Sequence, residues 1–216
     1  MRDYTQLILL IPIVLFSLVF HEFAHAVTSV RLGDPSPANQ GRLTLNPLAH
    51  LDPVGTLMII ITMINGVGFG WAKPVRIDAG YYKNPARGCL LVSLAGPLAN
   101  VTLAVLSALV LRVIFFTDLQ RFVVGDLKLA QLILNFLLLG FRLNIALAFF
   151  NLLPIPPLDG SRIIRYFLKG RVLNFYSGLE RYGFFLLLFV LLVFRNALSS
   201  ALFFISSYLL QLIVKI

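Results

Sequence analysis

The chain has 216 residues, 59% hydrophobic and 12% charged, with a mean hydropathy of +0.90, a balance that excludes an ordinary soluble globular protein and makes lipid its solvent. The net charge of +9 does not point to nucleic acid, because the Lys and Arg residues fall in short segments between apolar runs, where anionic headgroups and membrane orientation account for them. The single cysteine, Cys89, excludes an intrachain disulfide and a thiolate cluster, so any metal must be held by nitrogen and oxygen.

The first apolar run, Leu7 to Val30, contains His21-Glu22-Phe23-Ala24-His25. Residues four apart on a helix share a face, so His21 and His25 can present two imidazoles to one metal ion while Glu22 reaches a water bound to it. Three ionisable groups within five residues are expensive at bilayer depth unless something such as zinc compensates them. The bland alternative is two packed histidines and a snorkelling glutamate. No removable leader is expected, since this run carries the histidines and lacks a basic leader followed by a small-residue cleavage site.

Next come His50, Asp52 and Pro53. His50 is the only histidine outside the helix motif and a rival third ligand, though a role lining the cavity or contacting substrate is preferred. Asp52 reads as an N-cap with Pro53 in the first helical position. The apolar run Gly55 to Gly68 is short and ends in Gly66-Val67-Gly68-Phe69-Gly70, so it reads as a re-entrant or hairpin element rather than a span. Residues Gly66 to Val75 are candidates for an edge that holds unwound substrate as an added strand.

Spanning helices are then expected over Leu90 to Phe116 and Leu127 to Leu153, with Asn100, Asn144 and Asn151 as amides suited to interhelical hydrogen bonds and Arg142 in mid-span. After the second of these comes Asn151-Leu152-Leu153-Pro154-Ile155-Pro156-Pro157-Leu158-Asp159-Gly160. Such a proline cluster cannot continue a helix, so the chain unwinds at or near membrane depth, which requires cover from protein or a water-filled cavity. Asp159 offered from that break is the expected third metal ligand, and Gly160 permits close backbone approach; the alternative is an N-cap for the amphipathic stretch Gly160 to Lys169. Asn151, opening the motif, suits support of the ligands or of the substrate backbone. The last runs are Leu179 to Phe194, marginal in length, and Ala197 to Val214.

The expectation is one all-α polytopic membrane domain, residues 1–216: a helical bundle of about five to six membrane segments with a re-entrant element and a Pro-broken loop at the active site. If both motifs lie on one side, that side carries Arg31, Arg42, Lys73, Arg76, Lys83, Arg87, Arg162, Arg165, Lys169, Arg171, Arg181 and Lys215. The other side has Arg2, Arg112, Arg121, Lys128 and Arg195. The positive-inside rule then puts the catalytic end towards the cytoplasm and the N-terminus outside.

The pairing of His21-Glu22-Phe23-Ala24-His25 with the Asn-x-x-Pro-x-Pro-x-x-Asp-Gly arrangement at Asn151 to Gly160 resembles the site-2 protease family of intramembrane zinc metalloproteases. Ala95-Gly96-Pro97-Leu98-Ala99-Asn100 extends the resemblance, and the stretch from Leu45 to Pro53 is similar to a compact bacterial branch without PDZ or CBS-type domains. The resemblance implies peptide-bond hydrolysis within the bacterial cell membrane, with one zinc ion held by His21, His25 and Asp159, Glu22 as general base, and a transmembrane protein as substrate. It leaves Asn151, His50 and Asn100 as supporting or substrate-contacting candidates and the oligomeric state undetermined. Two other classes fit less well: a non-catalytic zinc-binding membrane chaperone or quality-control scaffold would not need Glu22, and a metal transporter would spread ligands along a path, often with repeat symmetry.

Overall fold

The structure, a computed structural model, describes residues 4–65, 72–117 and 127–214. Among these residues every regular element is helical: α1 (Tyr4–Arg31), α2 (Ser36–Asn39), α3 (Pro47–His50), α4 (Pro53–Asn65), α5 (Pro85–Phe116), α6 (Leu127–Leu152), α7 (Asp159–Phe167), α8 (Gly170–Leu179), α9 (Gly183–Val193) and α10 (Arg195–Val214), with short 3-10 turns at Ala79–Tyr81 and Glu180–Tyr182. In hydrocarbon a helix satisfies its own backbone groups, which is why long apolar runs take this form. Among the described residues five stretches are long and apolar enough to cross a membrane: Ile8–Arg31, Pro85–Phe116, Lys128–Leu152, Gly170–Val193 and Arg195–Val214. The protein is a polytopic helical membrane protein.

Two segment boundaries bear on the sequence reading. Helix α4 has 13 residues, about 20 Å at 1.5 Å per residue, against a hydrocarbon core of about 30 Å; it is too short to span alone, and Asp52 Oδ1 caps it by accepting from the Gly55 amide at 2.8 Å. The Gly66–Trp71 part of the expected substrate edge lies outside the described residues. The run read as starting at Leu179 starts instead at Gly170. Arg171, Asn174 and Ser177 had kept α8 out of the apolar window, although it continues through the Glu180–Tyr182 turn into α9.

The chain divides into two compact units, residues 1–96 and 97–216, with the boundary inside α5. In the first, α1 buries a polar stripe of Ser17, His21, His25 and Ser29, each four residues after the last and so on nearly one face. Beyond the end of α1, Asp34 is fully buried and accepts hydrogen bonds from the Ser36 amide at 2.8 Å, the Ser29 hydroxyl at 2.8 Å and the Asp78 amide at 2.9 Å. Tyr82 Oη meets the same Ser29 hydroxyl at 2.6 Å. Burial raises the Asp34 pKa, but the hydrogen bonds from Ser36, Asp78 and Ser29 outweigh that and hold the carboxyl below its ordinary value.

Residues 72–78 form an irregular strap, with no helix or strand of its own, fastened at several points. The Lys73 amide donates to the His50 carbonyl at 2.8 Å, Arg42 Nη1 donates to the Lys73 carbonyl at 3.2 Å and to Ala49 at 2.6 Å, and the Gln40 side chain bonds both the amide (3.2 Å) and the carbonyl (2.8 Å) of Arg76. Side chains and single carbonyls thus replace the ladder a second strand would supply.

In the second unit the core is Ala104, Ala108 and Leu111 of α5, Phe141 and Ile145 of α6 and Val214 of α10. Small residues at 104 and 108 let helices approach closely where lipid offers no hydrophobic drive between them. Asn100 Nδ2 donates to Asn144 Oδ1 at 2.9 Å, and Asn144 Nδ2 to the Gly140 carbonyl at 2.9 Å. Arg112 Nη1 donates at 3.0 Å to the carbonyl of Ile213, near the end of α10, where a cation also meets the negative end of the helix dipole.

Candidate metal and catalytic site

One turn of α1 separates His21 from His25, and both are buried. Their Nε2 atoms lie 3.0 Å apart with the rings edge to face. Two nitrogens bound tetrahedrally to one zinc at about 2.05 Å would sit about 3.3 Å apart, so the pair is already near the spacing that one ion imposes. The tautomer of His25 follows from its other nitrogen. Nδ1 is 2.6 Å from the Val92 carbonyl on α5; a carbonyl only accepts, so Nδ1 carries the proton and the Nε2 lone pair faces His21.

Gly96, one turn beyond Val92, makes this arrangement possible. A Cβ at position 96 would overlap His25 Nε2 and lie 2.5 Å and 2.6 Å from His21 Cε1 and Nε2, separations that close packing forbids. The α5 backbone therefore serves as the floor under both imidazoles: Val92 orients one ring and Gly96 leaves room for the pair. The sequence alone assigns neither residue a role. Gly96 lay inside a quoted motif, but a carbonyl acceptor leaves no trace in residue type, and a glycine in a helix shows its reason only once the neighbour is known.

Glu22 is half-buried and its Oε2 accepts from the Val75 amide at 3.1 Å. The carboxylate beside the histidines is thus held by the strap's backbone, an interaction the sequence did not announce. His50 is buried with Nε2 2.8 Å from the Thr44 carbonyl, while its own carbonyl receives the Lys73 amide. Among the described residues it is not gathered with His21 and His25 into a metal-sized group; it secures the loop and the strap.

Asp159 belongs to the second unit, where it is the first residue of α7. The residue before it, Leu158, makes no side-chain capping bond. Gly160 lets α7 close onto the end of α6: a Cβ there would overlap the carbonyl oxygens of Leu152 and Leu153. The loop is held further by Tyr176 Oη donating to the Pro154 carbonyl at 2.9 Å and by Gly183, whose missing Cβ would come within 2.6 Å of Pro156 Cβ. Asn151 donates from Nδ2 to the Leu147 carbonyl of its own helix at 2.9 Å, and Asn100 is committed to Asn144.

Chemically, the first unit offers two imidazole nitrogens converging on one point and a carboxylate on the next residue, a donor set that fits zinc or a similar divalent ion. Residues 9–193 match the family model "Peptidase family M50". YwhC of Bacillus subtilis (strain 168), whose name assigns it as a zinc metalloprotease, is 39% identical over 183 residues, covering 84% of this chain and 80% of that protein. Rip2 of Mycolicibacterium smegmatis, assigned likewise, is 35% identical over 187 residues, covering 86% of this chain and 66% of that protein. MJ0611 of Methanocaldococcus jannaschii, of the same assignment, is 32% identical over 110 residues, about half of each chain (51% and 50%). No solved structure matches the chain.

Proposed function

The chain belongs to peptidase family M50, a zinc-dependent metalloprotease of the site-2 type, and from that membership we propose that it is an intramembrane endopeptidase that cuts peptide bonds in or near transmembrane segments of membrane-anchored proteins. His21, His25 and Asp159 hold one zinc ion, and Glu22 is the general acid–base. The observation that carries this reading is the pair of converging imidazoles seated on Gly96, with Glu22 on the following residue and fixed by Val75. Support for Asp159 comes from its carboxylate chemistry and from its place at the start of α7 behind a Pro-broken loop.

Bound zinc supplies Lewis acidity for the scissile carbonyl and makes water acidic enough to be deprotonated near neutral pH. The protein's own residues do the rest. His25 is kept in the metal-facing tautomer by the Val92 carbonyl. Glu22 takes the proton of the attacking water and later delivers one to the departing amine, so one carboxylate serves both halves of the hydrolysis. The Val75 amide holds the resting carboxylate in one orientation, which reduces the reorganisation required when substrate arrives. A helical substrate must unwind to expose its amides, and the strap at residues 72–78 meets Glu22 through the Val75 amide, so an unwound chain that reaches Glu22 passes beside it. We place the catalytic end on the cytoplasmic face of a bacterial plasma membrane, a reading supported by the excess of Lys and Arg on the motif side.

The test is metal content and cleavage together, in detergent, with single-span membrane peptides. Glu22→Gln is expected to keep about one zinc per chain and to lose cleavage by roughly 10²- to 10⁴-fold, the usual contribution of a general acid–base. Asp159→Ala is expected to lose zinc. Wild-type proteolysis by the Glu22→Gln protein would overturn the mechanism, and full zinc retention by Asp159→Ala would remove that residue from the ligand set.

A further inference from the structure

The strap that holds Glu22 carries two cations, Lys73 and Arg76. Lys73 and Arg76 are exposed on either side of Val75, whose side chain is buried and whose amide is on Glu22. Among the described residues neither cation has an ion-pair partner. The described carboxylates of residues 4–96, namely Glu22, Asp34, Asp52 and Asp78, accept from backbone amides, and none of them forms an ion pair with either cation. The backbones of Lys73 and Arg76 are pinned by His50, Arg42 and Gln40, so the two charges are displayed from fixed positions rather than from a loose loop.

We infer that Lys73 and Arg76 select substrates that carry Asp or Glu close to the cleaved bond. The inference rests on the protease reading and names its substrate class. An unwound chain with its scissile bond at Glu22 lies beside Val75, and extended backbone advances about 3.3 Å per residue. Lys73 and Arg76 are two residues before and one after Val75, so with the reach of their own side chains they meet acidic groups within about four residues of that bond. A membrane headgroup would also be attracted to two cations. The link through Val75 to Glu22 favours the peptide, because it ties both cations to the place where a substrate chain must come.

Three single-span peptides that differ only in the flanks of the cleaved bond, acidic, amide or lysine, are compared in an uncharged detergent. Cleavage by the wild type and binding to zinc-loaded Glu22→Gln are both measured. The wild type is expected to favour the acidic over the amide peptide by about three- to tenfold, in KM rather than kcat, with the preference shrinking as salt rises. Lys73→Glu/Arg76→Glu is expected to favour the lysine peptide, and that reversal itself shows that the variant is folded. Should the reversed variant not fold, Lys73→Gln/Arg76→Gln is expected to lose the acidic preference. Equal binding of the acidic and amide peptides, an acidic preference that survives charge reversal, or one that appears only when anionic lipid is added would each overturn the inference. Acid-selective binding without cleavage of any peptide would overturn the protease reading and leave the charge selection standing.

Discussion

Gly96→Ala isolates the close approach of α5 to the two imidazoles. For His21 Nε2, which would be 2.6 Å from the new Cβ, to reach an ordinary contact of about 3.4 Å it must retreat by about 0.8 Å. His25 Nε2 is closer still, and its ring is tethered at the other end by the 2.6 Å bond to Val92, so it cannot move without weakening that bond or leaving its rotamer. Metal–ligand distances tolerate only about 0.2 Å, several times less than the displacement required. The overpacking costs roughly 1–3 kcal/mol, and replacing a helical glycine by alanine returns roughly 0.5–1 kcal/mol, so the variant still folds. Zinc affinity is expected to fall by at least the roughly 10- to 100-fold typical of disturbing a ligand's support, and cleavage at limiting zinc to fall with it. The assay is zinc retention during dialysis against graded chelator, with cleavage and a thermal melt on the same samples. A Gly96→Ala protein that melts near the wild type, keeps zinc equally well and cuts at the wild-type rate would refute the claim that Gly96 makes room for the metal-binding pair.

Asp34→Asn tests the buried hub outside the spans. The Asp34 pKa is lowered in the folded protein, so between that value and the unfolded value of 3.8 the unfolded chain binds more protons, and this contribution to stability is full above the unfolded value and lost as pH falls through the folded one. The variant is expected to lack that acid-side loss and, at neutral pH, to be less stable by about 1–3 kcal/mol, because the Ser29 and Asp78 donors lose an acceptor; thermal melts from pH 3 to 7 check both signs. Gly160→Ala drives a methyl group into the Leu152 and Leu153 carbonyls, and backbone cannot yield as a side-chain tip can. Circular dichroism is expected to keep its helical signal while zinc binding is lost; unchanged zinc binding would show that the α6–α7 closure is not needed to present Asp159.

The membrane class and the histidine pair were legible because they are written in local pattern. Runs of about 20 apolar residues have one stable form in lipid, and an i, i+4 spacing fixes which side chains share a face whatever surrounds the helix. Prolines 154, 156 and 157 likewise marked the end of α6 from sequence. The extent of the span before α9 was not legible, because Arg171, Asn174 and Ser177 interrupt the apolar window while the backbone continues through α8 and a 3-10 turn.

By itself, then, the sequence determined the solvent, the helical class, the His21-Glu22-His25 register and the break before Asp159. Tertiary structure alone decided what those residues rest against: that Val92 sets the His25 tautomer, that Gly96 makes room for two imidazoles, that Val75 fixes Glu22, and that His50 fastens a strap rather than joining the histidine pair. The physical reason is that three of these four contacts use a backbone amide or carbonyl, which every residue but proline carries in full, and the other uses an absent atom. Side-chain identity records neither until the chain has brought them together.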